Sequence, residues 1–395
     1  MHTETISKEE ARLFLIQYHN LNNCQPYCGK EGILSYFEKV GSIQYDPLNV
    51  VGRNADLVLQ SKITDYKPNL LQDLLYKERD LVDGWDKEMC IYLTSQYSRF
   101  ERIRQTRTDL IKYTLEYRGQ LAVFDILDEV RNSIKSRGAL SSKDLSIGEI
   151  RKDRWGPKKL SSAALDYLYT KGELSIVNKS GTQKLYDFTE NVFNEDITEP
   201  FPFQDDEDFL SWYVKRRIGS VGMLWDRRGG AWQGYYLYDK ALREKTLNNL
   251  LEAGSILRFQ VEDLKASFYV RKQDLSYFQS GSNKTVAKFL APLDNFLWDR
   301  DMISKLFGFD YSWEVYLPVE KRKYGYYVLP VLYGNQLIAR FEPNQARKGS
   351  EFSIKNWWWE KDVAVTSDMK EAISIAVNDF CSYLEAENKF DKTIL

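Results

Sequence analysis

The chain has 395 residues and a formal net charge of −2, and 43% of its residues are hydrophobic against 28% charged. This length suits two to four structural units, each able to bury a core. No run of about 18 apolar residues is present and the N-terminus lacks the pattern of a signal peptide, so we expect a cytoplasmic protein. Four cysteines without a C-x2-C spacing argue against a disulfide framework or a zinc ribbon. Cys24, Cys28 and His19 would lack a clear fourth ligand for a metal ion.

Residues 1–120 are predicted to form a mainly helical or winged-helix region. Ser7, with Glu10 three residues later, is a capping-box signature at the start of one helix. A second helix is predicted through GILSYFEKVG and ends at Gly41, because glycine adopts the left-handed conformation easily. The long, periodic and basic segment YSRFERIRQTRTDLIKYTLEYRG predicts a solvent-facing helix.

Residues 121–193 predict three helices followed by a β-hairpin, which is the winged-helix arrangement. FDILDEVRNSIKSRG is a helix that ends at Gly138, SSKDL is a short second helical turn, and KKLSSAALDYLYTKGEL is the third helix. SIVNKSGTQKLYDFTENVF alternates around a Ser-Gly turn, as hairpin strands do. The third helix begins directly after Lys158 and Lys159, where a recognition helix would approach a DNA backbone.

The acidic, proline-containing stretch EPFPFQDDED is the best candidate for a linker. Beyond it, residues 206–285 repeat the helix and hairpin pattern more weakly and predict a second winged helix. Residues 286–360 contain short β-like runs, among them WEVYLPV, and predict a small antiparallel sheet or barrel. Residues 361–395 close the chain with a helix. The predicted fold class is therefore α+β, with tandem winged-helix (helix-turn-helix) domains and a C-terminal small β-barrel or sheet.

Charges are segregated along the chain, so the small net charge does not argue against a nucleic-acid partner. Residues 194–208 are strongly acidic, whereas residues 151–159 and 215–228 each carry five basic residues and one acidic residue. Basic clusters that recur at intervals predict contacts with several phosphates of one duplex. The candidate DNA-binding residues are Lys158, Lys159, Arg227, Arg228, Lys321, Arg322 and Lys323.

The segment GSIQYDPLNVVGRNADLVL is the most informative part of the sequence. Pro47 favours an extended backbone at Asp46, and in an extended segment Gln44 and Asp46 point to the same side. A carboxylate and a carboxamide would then face one pocket. The following apolar positions also have helical spacing, so Asp46 and Pro47 have the form of an N-cap and a first-turn proline. A helix cap and a catalytic group are compatible interpretations of Asp46.

Three long motifs resemble one known family. GSIQYDPLNVVGRNADLVLQSKI, FLAPLDNFLWDRDMISKLFGFDY and EVYLPVEKRKYGYYVLPVLYGNQLIARFEP are similar, in order, to the winged-helix DNA glycosylases of crosslink repair, the AlkZ and YcaQ (AlkX) family. The resemblance spans residues from about 8 to 385. The AlkZ branch carries Gln-x-Gln at its site and the YcaQ branch Gln-x-Asp, so Gln44 and Asp46 match the YcaQ branch.

The resemblance implies a monofunctional DNA glycosylase that removes N7-alkylguanine-type bases and unhooks interstrand crosslinks. Asp46 would stabilise the oxocarbenium-like sugar and act as general base, and Gln44 would hold the attacking water. No lysine lies between Gln44 and Lys62, which argues weakly against an amine nucleophile. We expect alkylated or crosslinked double-stranded DNA as the partner, a monomer associated with the nucleoid, no membrane contact, and neither cofactor nor metal.

Secondary candidates for the pocket are Arg53, Asn54, Trp85, Asp86 and Lys87. Arg53 and Asn54 follow the site closely, but a solvated helix face explains them equally simply. Trp85, Asp86 and Lys87 resemble a polar and aromatic cluster of the family, although a tryptophan is as often core.

Two further features have competing explanations. Asp299 and Arg300 are interpreted as a structural ion pair rather than a catalytic one. The run Trp357–Trp359 suits either a DNA-stacking surface or sheet packing.

Two other classes of protein compete with the glycosylase. Tandem winged helices alone would equally suit a non-enzymatic DNA-binding protein such as a transcription regulator. A scaffold that binds protein partners is the third class, and the segregated basic clusters argue against it.

Overall fold

A computed structural model describes residues 4–145, 147, 150–153, 156–193, 197, 199–279 and 285–395, without the side chains of 150–153 and 156–159. The chain divides into two compact units: Met1–Leu71 with Asp205–Leu395, and Gln72–Gln204. The helices are α1 (Lys8–Tyr18), α2 (Gly29–Val40), α3 (Asn54–Gln60), α4 (Pro68–Tyr76), α5 (Glu101–Tyr117), α6 (Ala122–Asp125), α7 (Leu127–Arg137), α8 (Leu160–Lys171), α9 (Thr189–Val192), α10 (Asp206–Val221), α11 (Lys240–Glu252), α12 (Arg300–Phe307) and α13 (Ser367–Leu384).

The strands are short, and most of them pair in antiparallel fashion. They are β1 (Glu4–Ile6), β2 (Ser42–Gln44), β3 (Leu81–Trp85), β4 (Met89–Leu93), β5 (Ile150–Asp153), β6 (Gly156–Lys159), β7 (Leu174–Ser180), β8 (Gln183–Phe188), β9 (Met223–Trp225), β10 (Ile256–Val261), β11 (Ser267–Arg271), β12 (Ala287–Phe289), β13 (Leu329–Tyr333), β14 (Gln336–Pro343), β15 (Glu351–Phe352), β16 (Ile354–Trp359) and β17 (Glu387–Asn388). The α+β class is confirmed.

The first unit is built around two sheets. One has the order β1-β10-β11-β9, in which β1 runs parallel to β10 and the other pairs are antiparallel. The capping box of Ser7 and Glu10 opens α1 as predicted, and Gly41, with φ of 79°, ends α2. The alternating segment after α11 forms the predicted hairpin, in which β10 buries Ile256, Phe259 and Val261 and β11 buries the consecutive residues Phe268 to Arg271.

The second sheet of this unit has the order β12-β13-β14-β16 and is antiparallel throughout. It is open, with β12 and β16 at its edges, so the sheet is found and the described strands form no closed barrel. Helix α13 packs on it through Phe380, whose ring lies 5.5 Å from that of Phe289. The predicted strand WEVYLPV is wrong: residues 313–319 form a loop, in which Glu314 is buried and accepts N–H groups from residues 323–325.

The second unit has a core of its own. Helices α7 and α8 and the hairpin β7–β8 bury a shared apolar cluster that includes Val130, Ile134, Leu168 and Ile176. Gly138 ends α7 and Gly181 lies in the hairpin turn, as the sequence predicts. SSKDL is a turn rather than a helical turn. The hairpin β5–β6, which precedes α8, has no counterpart in the predictions.

Asp144 explains the turn at SSKDL. Its carboxylate accepts the backbone N–H and the hydroxyl of Ser141, at 2.8 and 2.6 Å. These local bonds satisfy the polar groups of the segment without a helix, because short polar side chains compete with helical hydrogen bonding.

Candidate active site

Gln44 and Asp46 lie where the chain leaves β2. Gly41 separates α2 from this strand, and three extended residues follow before the loop that carries Asp46. Both side chains are largely withdrawn from solvent, with 9% of each residue exposed. A carboxamide and a carboxylate are therefore presented two residues apart by a short and well-buried strand end.

Asp46 does not cap a helix, so that interpretation is wrong. Its Oδ1 accepts the N–H of Leu48 at 2.9 Å, and α3 begins only at Asn54, with Arg53 as its N-cap. A carboxylate that binds the N–H two residues on forms a local turn of its own. The proline after Asp46 therefore continues a loop rather than a first helical turn.

Contacts from the C-terminal part of the unit hold this loop in place. Ala346 donates its N–H to the carbonyl of Val50 at 3.0 Å. Gly52 has φ of 115°, and a Cβ at this position would lie 1.8 Å from the Tyr383 hydroxyl. Only glycine satisfies both the backbone conformation and the close approach.

The surroundings of Asp46 favour its protonated form relative to a solvated carboxyl. Burial raises the pKa of Asp46, and the hydrogen bond from Leu48 opposes the rise. Burial also raises the pKa of Tyr316 and of Tyr327, and the negative charge of Asp46 raises both further. The carboxylate therefore lies in the electrostatic neighbourhood of two tyrosines that sequence patterns did not identify.

Asn54 connects the site to the motif around Leu293. Its Nδ2 donates to the carbonyl of Gln44 at 2.8 Å, and its Oδ1 accepts the N–H of Leu293 at 3.0 Å. The residue is 1% exposed, so its amide acts inside the protein as a positioning group for β2.

Arg53, the other candidate next to the site, is half-buried and influences Asp56 by its charge. Burial raises the pKa of Asp56 to about 6, and the charge of Arg53 opposes that rise.

Lys62 forms a buried ion pair with Asp294. The two groups lie 2.5 Å apart, both side chains are fully buried, and the ammonium also donates to the Ser61 hydroxyl. Burial lowers the pKa of Lys62, and Asp294 opposes that effect. The first lysine after the site is therefore engaged in the structure.

An exposed projection, here called the finger, spans residues 313–326. The Glu314 carboxylate accepts N–H groups from three consecutive residues, 323–325, at 3.0 to 3.3 Å and so ties the two sides together. At its tip Tyr316 is 72% exposed and Val319 73% exposed. Burial raises the pKa of Tyr316, and the negative charge of Asp46 raises it further. No sequence pattern distinguished this tyrosine from the others.

The predicted basic residues of the finger are on its surface. Arg322 lies over the Tyr326 ring at 5.1 Å and donates to the carbonyl of Leu317, while Lys323 lies 4.9 Å from the Tyr324 ring. Lys321 is exposed. These cations flank an apolar tip.

Five other predicted residues belong to the second unit. Trp85, Asp86 and Lys87 belong to the second unit, at the turn between β3 and β4, where Asp86 is fully buried and the Trp85 ring lies 3.2 Å from the Arg107 guanidinium carbon. Lys158 and Lys159 lie in β6, and their side chains are outside the described part of the chain.

The cluster at 215–228 divides into two kinds of residue. Arg227 and Arg228 are exposed, whereas Arg216 and Arg217 are buried and unsuited to contact DNA.

The predicted ion pair of Asp299 with Arg300 is wrong. Asp299 caps α12 by accepting the N–H of Met302, and Arg300 lies over the Tyr311 ring. Trp357–Trp359 lie in β16, where Trp357 stacks on Phe341 at 5.9 Å, in favour of sheet packing.

Comparison with known proteins identifies the class. Residues 37–385 match the DNA glycosylase AlkZ-like family, and the chain belongs to this family. Among solved structures, it resembles the Streptomyces sahachiroi DNA glycosylase AlkZ, with a TM-score of 0.64 and 12% identity over 98% of this chain and 100% of that one. At this identity the likeness concerns the fold. In the described residues no helix has the length and apolarity needed to cross a bilayer.

Proposed function

We propose that this protein is a monofunctional DNA glycosylase that hydrolyses the N-glycosidic bond of N7-alkylguanine-type bases and unhooks interstrand crosslinks. The observation that carries the proposal is the position of Gln44 and Asp46, which lie two residues apart on a buried strand end held by the rest of the unit. Family membership supports glycosylase chemistry. The substrate and the roles of the two residues are our inference.

The chemistry requires little acid catalysis. An alkylated ring nitrogen makes the base cationic and a good leaving group, so the main demand is to stabilise a cationic sugar and to activate water. The Asp46 carboxylate would do both, with Gln44 orienting the water through one donated and one accepted hydrogen bond. Only Oδ1 of Asp46 is used by a hydrogen bond among the described residues, which leaves Oδ2 for this task.

A hydrolytic route is also favoured by the state of Lys62. A bifunctional enzyme would need a neutral amine at the reacting sugar carbon. The Lys62 ammonium is buried against Asp294, so it is not an available nucleophile. We expect an abasic site without strand cleavage as the product.

Recognition of DNA is proposed to involve winged-helix elements and the predicted basic residues. Helices α7 and α8 with the hairpin β7–β8 of the second unit, and the helices and hairpin of residues 206–285, are the elements in question. Lys321, Arg322 and Lys323 on the finger, Arg227 and Arg228, and Lys158 and Lys159 would neutralise phosphates. Arg53 and the Trp85–Lys87 turn are secondary candidates for pocket contacts.

The decisive experiment is base release from defined duplexes. Oligonucleotides containing N7-methylguanine or a nitrogen-mustard crosslink are incubated with the protein and then cleaved with alkali at abasic sites. We expect product from the wild type and a loss of about 100-fold or more in the single-turnover rate of Asp46→Asn, since general-base catalysis is worth about that much.

The substitution Asp46→Asn keeps the acceptor for the Leu48 N–H, so the loop should survive. Asp65→Asn, at an exposed aspartate with φ of 54°, is the matched control. No abasic product from the wild type, or full activity in Asp46→Asn with an unchanged melting temperature, would contradict the proposal. Salt-sensitive DNA binding without excision would favour a transcription regulator.

A further inference from the structure

Two exposed arginines lie on the loop Asp226–Trp232, which follows β9. Among the described residues neither guanidinium has a carboxylate within 4.0 Å. Arg227 lies 5.4 Å from the ring of Trp225, and Arg228 lies 4.0 Å from the ring of Tyr238. A guanidinium that rests on a ring face keeps its N–H edges available for another acceptor. The pair is therefore suited to an anionic partner.

Buried arginines fix the shape of this loop from inside. Arg217, fully buried, donates to the carbonyl of Ala231 at 2.6 Å and to that of Gln233. Arg243, 2% exposed, donates to the carbonyls of Leu237 at 2.7 Å and Asp226 at 3.3 Å. Charge-assisted bonds to two carbonyls of the loop, those of Asp226 and Ala231, and to two carbonyls that follow it make the loop a rigid base for its exposed residues.

Two consecutive glycines bring the loop onto the segment before α12. A Cβ at Gly229 would lie 2.1 Å from Asp299 Oδ2, and one at Gly230 would lie 2.5 Å from the carbonyl oxygen of Trp298. Asp299 is fully buried, and its Oδ1 accepts the N–H of Met302. The N-cap hydrogen bond therefore fixes the Asp299 carboxylate in the position where it contacts Gly229.

We propose that Arg227 and Arg228 form a phosphate anchor for duplex DNA and that Asp299 is a positioning residue, which seats Gly229 so that both guanidiniums are presented together. The inference rests on the proposed function and assigns catalysis and phosphate binding to different parts of the protein. Asp46 and Gln44 act on the sugar, while this loop binds backbone phosphates without regard to sequence. Asp299 affects DNA only through the loop.

The arginines are tested by DNA binding as a function of salt. Affinity for a short undamaged duplex is measured by fluorescence anisotropy between low and physiological salt. R227A/R228A should weaken binding roughly tenfold and reduce the slope of log K against log salt by about 2, since each phosphate contact contributes about 0.9. K361A/K370A, which removes two exposed cations elsewhere, is the matched control. An unchanged slope in R227A/R228A overturns the anchor.

The positioning role is tested by rescue. Gly229→Ala should weaken duplex binding and lower the salt slope although both arginines remain, because its Cβ meets Asp299. Asp299→Ala alone should weaken binding, because the loop loses its seat. The same substitution removes the obstacle to an alanine at position 229, so the double variant G229A/D299A should bind more tightly than G229A. If each substitution only damaged the fold, their losses of DNA affinity would add, and the double variant would be the weakest binder. That outcome, or full binding by a folded G229A, overturns the positioning role.

Failure of this inference and failure of the proposed function give different results. The salt slope is measured on undamaged duplex and needs no excision, whereas base release by the wild type tests the glycosylase proposal alone. If the wild type binds duplex with the expected salt slope but excises nothing, the anchor stands and the glycosylase proposal falls. If excision occurs and the slope is insensitive to R227A/R228A, the anchor alone is wrong.

Discussion

At the scale of single residues, the same side-chain type serves different purposes at neighbouring positions. Asp46 is partly shielded and binds one backbone N–H, Asp294 neutralises a buried lysine, and Asp299 caps a helix. Asn54 has a role that its position in the sequence does not suggest, because both halves of its amide bind backbone from distant segments. Partners, rather than residue type, decide these roles.

Asn54→Ala should destabilise the protein and slow excision together. The substitution leaves the Gln44 carbonyl and the Leu293 N–H without their partners in a buried site, which costs about 1–3 kcal/mol for a buried polar group. Urea unfolding gives the free energy and single-turnover excision gives the rate. Asn344→Ala, which removes an exposed amide bonded to Ser353, is the control and should shift stability by about 0.5 kcal/mol or less. Equal effects of the two substitutions would argue against a positioning role for Asn54.

At the scale of elements, the finger is held rigid at its base and exposed at its tip. Glu314 satisfies three backbone N–H groups inside the loop, and the carboxylate of Glu342 accepts a fourth, from Tyr326 at 2.8 Å. This arrangement replaces the strand that alternating residues predicted. A loop whose donors are bound by buried carboxylates projects apolar residues without a sheet to support them.

Tyr316→Ala should lower excision while leaving the fold intact. The residue is 72% exposed, so the loss of its ring removes little core, and an exposed tyrosine ring can stack on a base next to the lesion. We expect a fall of roughly tenfold in excision at limiting enzyme, in line with one base–aromatic contact. Tyr316→Phe should retain most activity. The control is Ile375→Ala, at an exposed position on α13; a Tyr316→Ala enzyme as active as this control would exclude a DNA contact.

At the scale of the whole molecule, buried carboxyl groups make stability depend on pH. Burial raises the pKa of Asp56 to about 6, with the Tyr66 hydroxyl, 2.6 Å away, opposing the rise. Burial likewise raises the pKa of Asp299 to about 6. A carboxyl whose pKa is higher in the folded than in the unfolded protein holds its proton longer when folded, so folding is favoured at low pH.

Asp56→Asn should flatten the pH dependence of stability between about pH 4 and pH 6. In the wild type the contribution of Asp56 is favourable near pH 4 and is lost as pH rises to 6, by about 2–3 kcal/mol at most. Asparagine keeps an acceptor for Tyr66 and cannot ionise, so the variant should gain stability relative to wild type as pH rises. Urea unfolding at pH 4.5 and 7.5 measures the difference. A constant difference at the two pH values would show that Asp56 does not titrate in this range.

The sequence by itself determined the local elements and the family. Capping residues, glycine stops and apolar periodicity depend on neighbours within a few residues, so α1, α2, α8 and the hairpin β7–β8 could be predicted from them. Long motifs in a fixed order predicted the glycosylase family, which comparison confirmed.

Only the tertiary structure decided what the individual polar residues do. The loop at Asp46 in place of a helix cap depends on contacts from residues 346 and 383, and the buried pair of Lys62 and Asp294 joins segments 232 residues apart. The seating of Gly229 on Asp299 is equally non-local. Such contacts follow from how distant segments pack, so they cannot be predicted from the residues that neighbour each position in the sequence.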